Sequence, residues 1–254
     1  MLNIDLSNKT ILITGASDGI GKAMARFLLK MGANVAVHYN SNKKNAVELT
    51  KGYPKAKWKI FKADLAIADN VISLVSEVEK CFNKIDVIIL NAGVYLLHEV
   101  DLDNENWMNV WNRTMNINLN SAGLLTKLGI QHFKKNKGGS FIYISSRAAN
   151  RGETDEFLAY AASKGGLTSL AKSVARSFGN ENIKSFVIAP GFVKTKMADN
   201  FIKKYGEKRV LDEISLNELT KPDDLTGIIG LLCSGLLDHA TGTTIDINAG
   251  SYIR

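Results

Sequence analysis

Seven short apolar runs rich in β-branched residues recur along the chain, at 10–15, 34–39, 58–63, 85–93, 140–146, 183–191 and 243–250. Helical spacing of apolar residues fills the intervals at 20–31, 42–51, 67–83, 103–134, 158–179 and 222–234. Strands that alternate with helices pair in parallel, because a parallel neighbour is reached only through a crossover. Runs that are apolar throughout, rather than at every second position, mean a sheet covered on both faces. The sequence therefore predicts an α/β fold, a doubly wound parallel sheet of about seven strands with helices on both sides. With three prolines, 45% hydrophobic residues and no repeat, linker or shift in composition, the 254 residues read as one domain, 1–254.

Composition narrows the function classes. No apolar run approaches the roughly 18 residues of a membrane span, and "MLNIDLSNKT" lacks the charged-then-apolar layout of a leader. Cys81 and Cys233 stand in apolar patterns without His or Cys at ligand spacing, which suits reduced core residues of a cytoplasmic protein and gives no metal signature. The net charge of +7 comes from lysines dispersed along the chain, without the aromatic interleaving of a nucleic-acid surface. Nucleic acid and membrane are thus not expected as partners.

The first run leads into "TGASDGIGKAMARFLLKMG", where Gly15, Gly19 and Gly21 surround the turn into a helix. Tight turns need glycine in any case. Directly after the first strand of a βα series, however, the turn aims helix amides and the positive dipole end at a pyrophosphate, as in Rossmann-type folds. A second pattern, Tyr-x-x-x-Lys, occurs three times, at Tyr39/Lys43, Tyr53/Lys57 and Tyr160/Lys164. Positions i and i+4 share a helix face, but spacing alone does not choose among the three.

"TGASDGIG", "NAG" at 91–93, "SS" at 145–146, "YAASK" at 160–164 and "PGFVKT" at 190–195 stand in one order along the chain. In these motifs the chain resembles the short-chain dehydrogenase/reductase family over essentially its full length, most nearly the branch of 3-oxoacyl carrier-protein reductases. Tyr160 opens the helix after the fifth strand, near the sheet edge where doubly wound folds bind ligands, whereas Tyr39 ends the second strand and Tyr53 precedes Pro54 in a loop. The pair is therefore Tyr160 and Lys164. The resemblance implies an NAD(P)(H)-dependent oxidoreductase that interconverts a small carbonyl compound and a secondary alcohol, with Tyr160 as acid/base. A phenol titrates near pH 10, so a neighbouring ammonium is expected to bring it toward neutrality.

By the same resemblance Lys164 also binds the nicotinamide ribose, Ser146 holds the substrate oxygen with Ser145 as its competitor, and Asn118, flanked by Asn116 and Asn120, orients a relay water. The implied cofactor contacts are Gly15, Ser17, Asp18, Gly19, Ile20 and Gly21 in the turn, and Tyr39, Asn40 and Ser41 after the second strand. Asp64 with Leu65 meets the adenine, unless Asp64 caps the next helix. Asn91, Ala92 and Gly93 follow the fourth strand; Asn91 is either a contact or a brace across the sheet. Pro190, Gly191, Val193 and Thr195 meet the nicotinamide half, with helix capping as the other reading of Thr195.

Residues 192–220 resemble a substrate lid, in which Phe201, Ile202 and Tyr205 either line a pocket or form the packed face of a helix. Arg147 and Arg151 either bind a substrate carboxylate or belong to a solvated loop. His38, His98, His132 and His239 show no partner spacing. The second strand ends "VAVHYNSNKK" with no acid before Glu48, so the carboxylate that would take the ribose 2′-hydroxyl of NAD is missing. NADP(H) is therefore favoured and NAD(H) usable, although Asp18 stands in the turn as an opposing charge. A homo-oligomer, tetramer or dimer, is expected. The readings that compete with the general one are a 3-oxoacyl-carrier-protein reductase specifically, and a non-catalytic dinucleotide-binding sensor or scaffold.

Overall fold

A computed structural model describes residues 4–254, with the side chains of Met197, Asn200, Phe201, Lys204, Tyr205 and Glu207 outside the description. All seven runs form strands of one parallel sheet: β1 (Thr10–Ile13), β2 (Asn34–Tyr39), β3 (Trp58–Lys62), β4 (Val87–Leu90), β5 (Gly139–Ile144), β6 (Ile183–Pro190) and β7 (Thr244–Ile247). Their order is β3-β2-β1-β4-β5-β6-β7, so the chain winds outward through β2 and β3 and then returns to the other side of β1. The reversal falls between β1 and β4, where Ile11 pairs with Val87 and Ile13 with Ile89. A doubly wound sheet opens its ligand crevice at that switch point, beyond the carboxyl ends of the strands.

Side-chain alternation divides the core. Ile11, Ile13, Val35 and Val37 face α1 (Gly19–Lys30), which contributes Met24, Leu28 and Leu29 to that layer. Leu12, Ala36, Ile88 and Phe141 face the opposite layer. Between β2 and β3 the short α2 (Lys43–Glu48) starts at Asn42, whose side chain accepts the Asn45 N–H. The opposite layer is built from α3 (Ala68–Phe82) and a long helical passage predicted at 103–134. That passage is α4 (Asn104–Met115), one π turn at Asn116–Asn120, and α5 (Ser121–Lys135). The π turn is invisible to a periodicity argument and is the main departure from the expected helices. Such single turns accommodate an extra residue and re-aim one side chain.

The chain then passes through α6 (Ala148–Arg151), α7 (Leu158–Phe178), α8 (Lys196–Tyr205), α9 (Glu207–Leu211) and α10 (Thr226–Ser234). A parallel bridge between Val193 and Thr220 joins the two ends of the segment that carries α8 and α9, and Lys194 N–H donates to Thr220 O at 2.8 Å. That segment is thus an excursion with a closed neck, in the place where the lid is expected. Among the described residues no helix is long and apolar enough to cross a membrane.

Candidate active site

A cleft of about 460 Å³ opens at the switch point, within the range of small-molecule sites. Every residue predicted to contact the cofactor lines it, except Tyr39. The exception follows from strand alternation. Tyr39 shares the face of Val35 and Val37 and is 7% exposed in their core layer, while His38 and Asn40, of the opposite parity, line the cleft.

The glycine turn is held from three sides. Gly15 and Gly19 adopt φ of +63° and +51°, which other residues enter at a cost, and a Cβ on Gly21 would stand 2.2 Å from Gly15 O. Asn91 Nδ2 donates to Thr14 O and Gly15 O at 2.9 and 3.1 Å, and Thr14 Oγ1 accepts from Asn91 N and Ala92 N. Asn91 therefore braces the two strand ends across the sheet, and Thr14 is a partner that the motif alone did not single out. The third hold is His38, 2% exposed, whose Nδ1 accepts Gly15 N–H at 2.9 Å while Nε2 donates to Ala63 O at 3.1 Å. Accepting at one nitrogen requires the neutral ring, and burial pushes its pKa down accordingly. No spacing signal marked this histidine.

Asp18 caps α1 by accepting Gly19 N–H at 2.9 Å and pairs with Lys196 Nζ at 3.1 Å. Partial burial works to raise its pKa, but the cap and Lys196 outweigh it and hold the carboxyl below its ordinary value. Asp64 lines the cleft and also accepts Ala66 N–H at 3.0 Å, a local turn rather than a helix cap. Thr195 precedes α8 but makes no side-chain capping bond, which leaves its hydroxyl to the cleft it lines.

Toward the other end, Tyr160 and Lys164 project from the first turns of α7 beside Ser146, at the end of β5. Ser145 Oγ is bound to Lys164 O at 3.1 Å and Thr168 Oγ1 at 2.8 Å, so it faces α7. The Ser146 hydroxyl instead accepts the Ala148 N–H at 3.1 Å and lines the cleft beside the Tyr160 phenol. Lys164 Nζ donates to Ile144 O at 2.8 Å and lies 5.7 Å from the Tyr160 ring centroid. Burial pushes the phenol up to about 12 and the ammonium down to about 8, with the neighbouring Ser146 hydroxyl as the main influence against the phenol's rise. The expected lowering of Tyr160 by Lys164 is thus not realised in the protein alone, because the ammonium bonds a carbonyl and desolvation dominates. Asn118 sits in the π turn, 1% exposed, and clasps Val94 through both its N–H (2.8 Å) and its O (3.0 Å) while donating to Ser163 Oγ (3.0 Å). It fixes the wall behind the cleft rather than lining it.

The remaining wall was not foreseen as such. Tyr95 meets the Tyr160 ring edge-to-face at 4.7 Å and stacks on Phe157 at 3.8 Å. Arg147, read as either a carboxylate binder or a loop residue, is 2% exposed, stacks over Phe192 at 4.6 Å and donates to Glu213 at 2.7 Å. Ile202 does not line the cleft, and the side chains of Phe201 and Tyr205 lie outside the described residues.

A cradle of strained glycines at the switch point of a doubly wound sheet, continued by a serine, tyrosine and lysine, defines the architecture of a nicotinamide-dependent oxidoreductase. The chain belongs to the short-chain dehydrogenase family, whose sequence profile matches residues 9–206. It is 32% identical to a 3-oxoacyl-[acyl-carrier-protein] reductase of Rickettsia conorii over 97% of this chain and 98% of that one. It is 31% identical to the human dehydrogenase/reductase SDR family member 4, over 98% of this chain and 89% of that one. Among solved structures, an NADPH-dependent 3-quinuclidinone reductase from Rhodotorula rubra superposes with a TM-score of 0.89 at 26% identity, covering 98% of this chain and 93% of that chain. The family implies an NAD(P) cofactor and a small-molecule substrate.

Proposed function

We propose that the protein interconverts a carbonyl compound and a secondary alcohol with Tyr160 as the proton donor and acceptor. The observation that carries this reading is that Ser146, Tyr160 and Lys164 stand together in the cleft the glycine turn opens. The cradle fits a dinucleotide, since Gly15, Gly19 and Gly21 leave no room for side chains where helix amides face the cleft. A nicotinamide bound there supplies or accepts the hydride. Ser146 and Tyr160 share the carbonyl oxygen, Tyr160 gives it a proton, and Lys164 adds positive charge beside the phenol. Asn118 keeps Val94 and the adjoining wall in place. We read the protein as a homo-oligomer in which each chain carries its own cleft.

The two serines test the assignment. Ser146→Ala is expected to lower kcat about a hundredfold, the usual effect of removing one donor from a developing oxyanion. Ser145→Ala is expected to cost about 1 kcal/mol of stability, seen as a lower Tm, with a far smaller effect on rate. Equal rate losses in both would dissolve the distinction.

NADPH is the preferred cofactor on the same reading. Asn40 and Ser41 are neutral where an NAD-binding acid would stand, and the Asp18 charge is occupied by the cap and Lys196. We expect a higher kcat/KM with NADPH than with NADH, and Asp18→Asn, which keeps the cap and removes the charge, should widen that ratio. Faster turnover with NADH would assign Asp18 the deciding role and reverse the preference.

A further inference from the structure

The substrate end of the cleft holds two charged side chains that the proton-transfer scheme does not use. Arg147 and Glu153 both line it together with Ser146 and Tyr160. Their side chains are only 3% and 10% exposed. Arg147 Nη2 is committed to Glu213, but its Nη1 is buried without any hydrogen-bond partner among the described residues. Glu153 has Arg151 Nη2 at 3.7 Å, beyond hydrogen-bond length, with the Thr154 amide as a further weakly favourable neighbour. A carboxylate has acceptor sites for about four hydrogen bonds. Burial raises the Glu153 pKa above its ordinary value, as expected for a carboxyl with too few partners.

Unsatisfied charged groups in a desolvated cleft are costly unless a ligand completes them. An alkyl or acyl chain laid along this wall would strip its remaining water and return nothing. A carboxylate substrate is also poorly matched. Glu213 already bridges Arg147 and Arg151 at 2.7 and 3.0 Å, two arginines balance two glutamates, and Glu153 would repel a second carboxylate. A hydroxyl both donates and accepts, and it satisfies the pair without adding charge.

We propose that Glu153 and Arg147 select a polyhydroxylated carbonyl substrate, with Glu153 accepting from a hydroxyl near the reacting carbon and Arg147 donating to a neighbouring oxygen. This rests on the oxidoreductase reading above. Glu213, on the excursion between Val193 and Thr220, seats Arg147 for this contact and couples it to the lid.

The test compares a straight-chain ketose, the alkyl ketone of equal chain length and a short 3-oxoacyl thioester, with reduced cofactor saturating. The native enzyme is expected to favour the ketose. Glu153→Gln is expected to lower the ketose-to-alkyl ketone ratio of kcat/KM at least about tenfold, chiefly through KM, and Glu153→Leu further. A native preference for the alkyl ketone or thioester overturns the proposal while leaving carbonyl reduction intact, and so does an equal loss on ketose and alkyl ketone in both variants. If no compound turns over, the hydride-transfer reading fails separately. Calorimetry of a sugar alcohol with the cofactor-loaded protein then decides: binding lost in Glu153→Leu supports the selection, and binding absent or unchanged sinks it.

Discussion

Tyr160→Phe is expected to lower kcat by about three orders of magnitude, within the range of general acid–base contributions, while cofactor affinity stays close to native. The substitution removes one oxygen. The ring keeps its edge contact with Tyr95, so the fold is expected to lose about 1 kcal/mol at most. Stopped-flow or steady-state absorbance with a saturating cofactor separates the two quantities. Burial holds the phenol protonated up to about pH 12 in the protein alone, so it is a competent donor throughout the neutral range. Alcohol oxidation needs the phenolate, and its rate should climb with pH while reduction stays flat or declines. The other tyrosines of the same spacing make the comparison sharp. Tyr53 donates to Arg26 O at 3.1 Å on the surface and Tyr39 is packed beside α1, so their Phe variants should retain turnover. An active Tyr160→Phe enzyme with an inactive Tyr39→Phe would place the proton donor at Tyr39 instead.

The strands were legible because a parallel sheet covered on both faces demands apolar residues at every position, and β1, with all four residues buried, shows that demand most plainly. The glycine turn was legible because its conformations exclude side chains. The Tyr39 side chain lies in the core layer because strand alternation puts it on the face of Val35 and Val37, a phase that its motif position alone does not carry. The π turn at Asn118 shifts the helical phase over only five residues, too few for a hydrophobic pattern to register. The pairs Arg147–Glu213 and Asp18–Lys196 join residues far apart in sequence, and nothing local at either partner announces the other. Lys164 is the most instructive case. Its identity was plain from the motif, but its electrostatic effect depended on burial, which the motif does not contain.

That burial makes Lys164 a stability liability, and Lys164→Met should expose it. The ammonium is 4% exposed, and desolvation lowers its pKa from 10.5 to about 8. The difference corresponds to roughly 3 kcal/mol against folding at neutral pH, as an order-of-magnitude figure. Below pH 8 both folded and unfolded chains hold the proton and the penalty is fully present. Between about pH 8 and 10.5 the unfolded chain holds a proton that the folded chain has released, so native stability rises with pH across that window. Methionine has a similar length and no charge, and it forfeits only the bond to Ile144 O. Lys164→Met should therefore melt several degrees higher than the native protein at pH 7, and its advantage should shrink as pH climbs through the window. Turnover should fall at least a hundredfold, because the positive charge beside the phenol is gone. A lower Tm at pH 7 would mean that the Ile144 bond outweighs the desolvation of the amine. A constant difference across the pH range would show that Lys164 titrates in the folded protein as it does in water. The expected outcome, a more stable and nearly inactive enzyme, is what a buried charge retained for chemistry should produce.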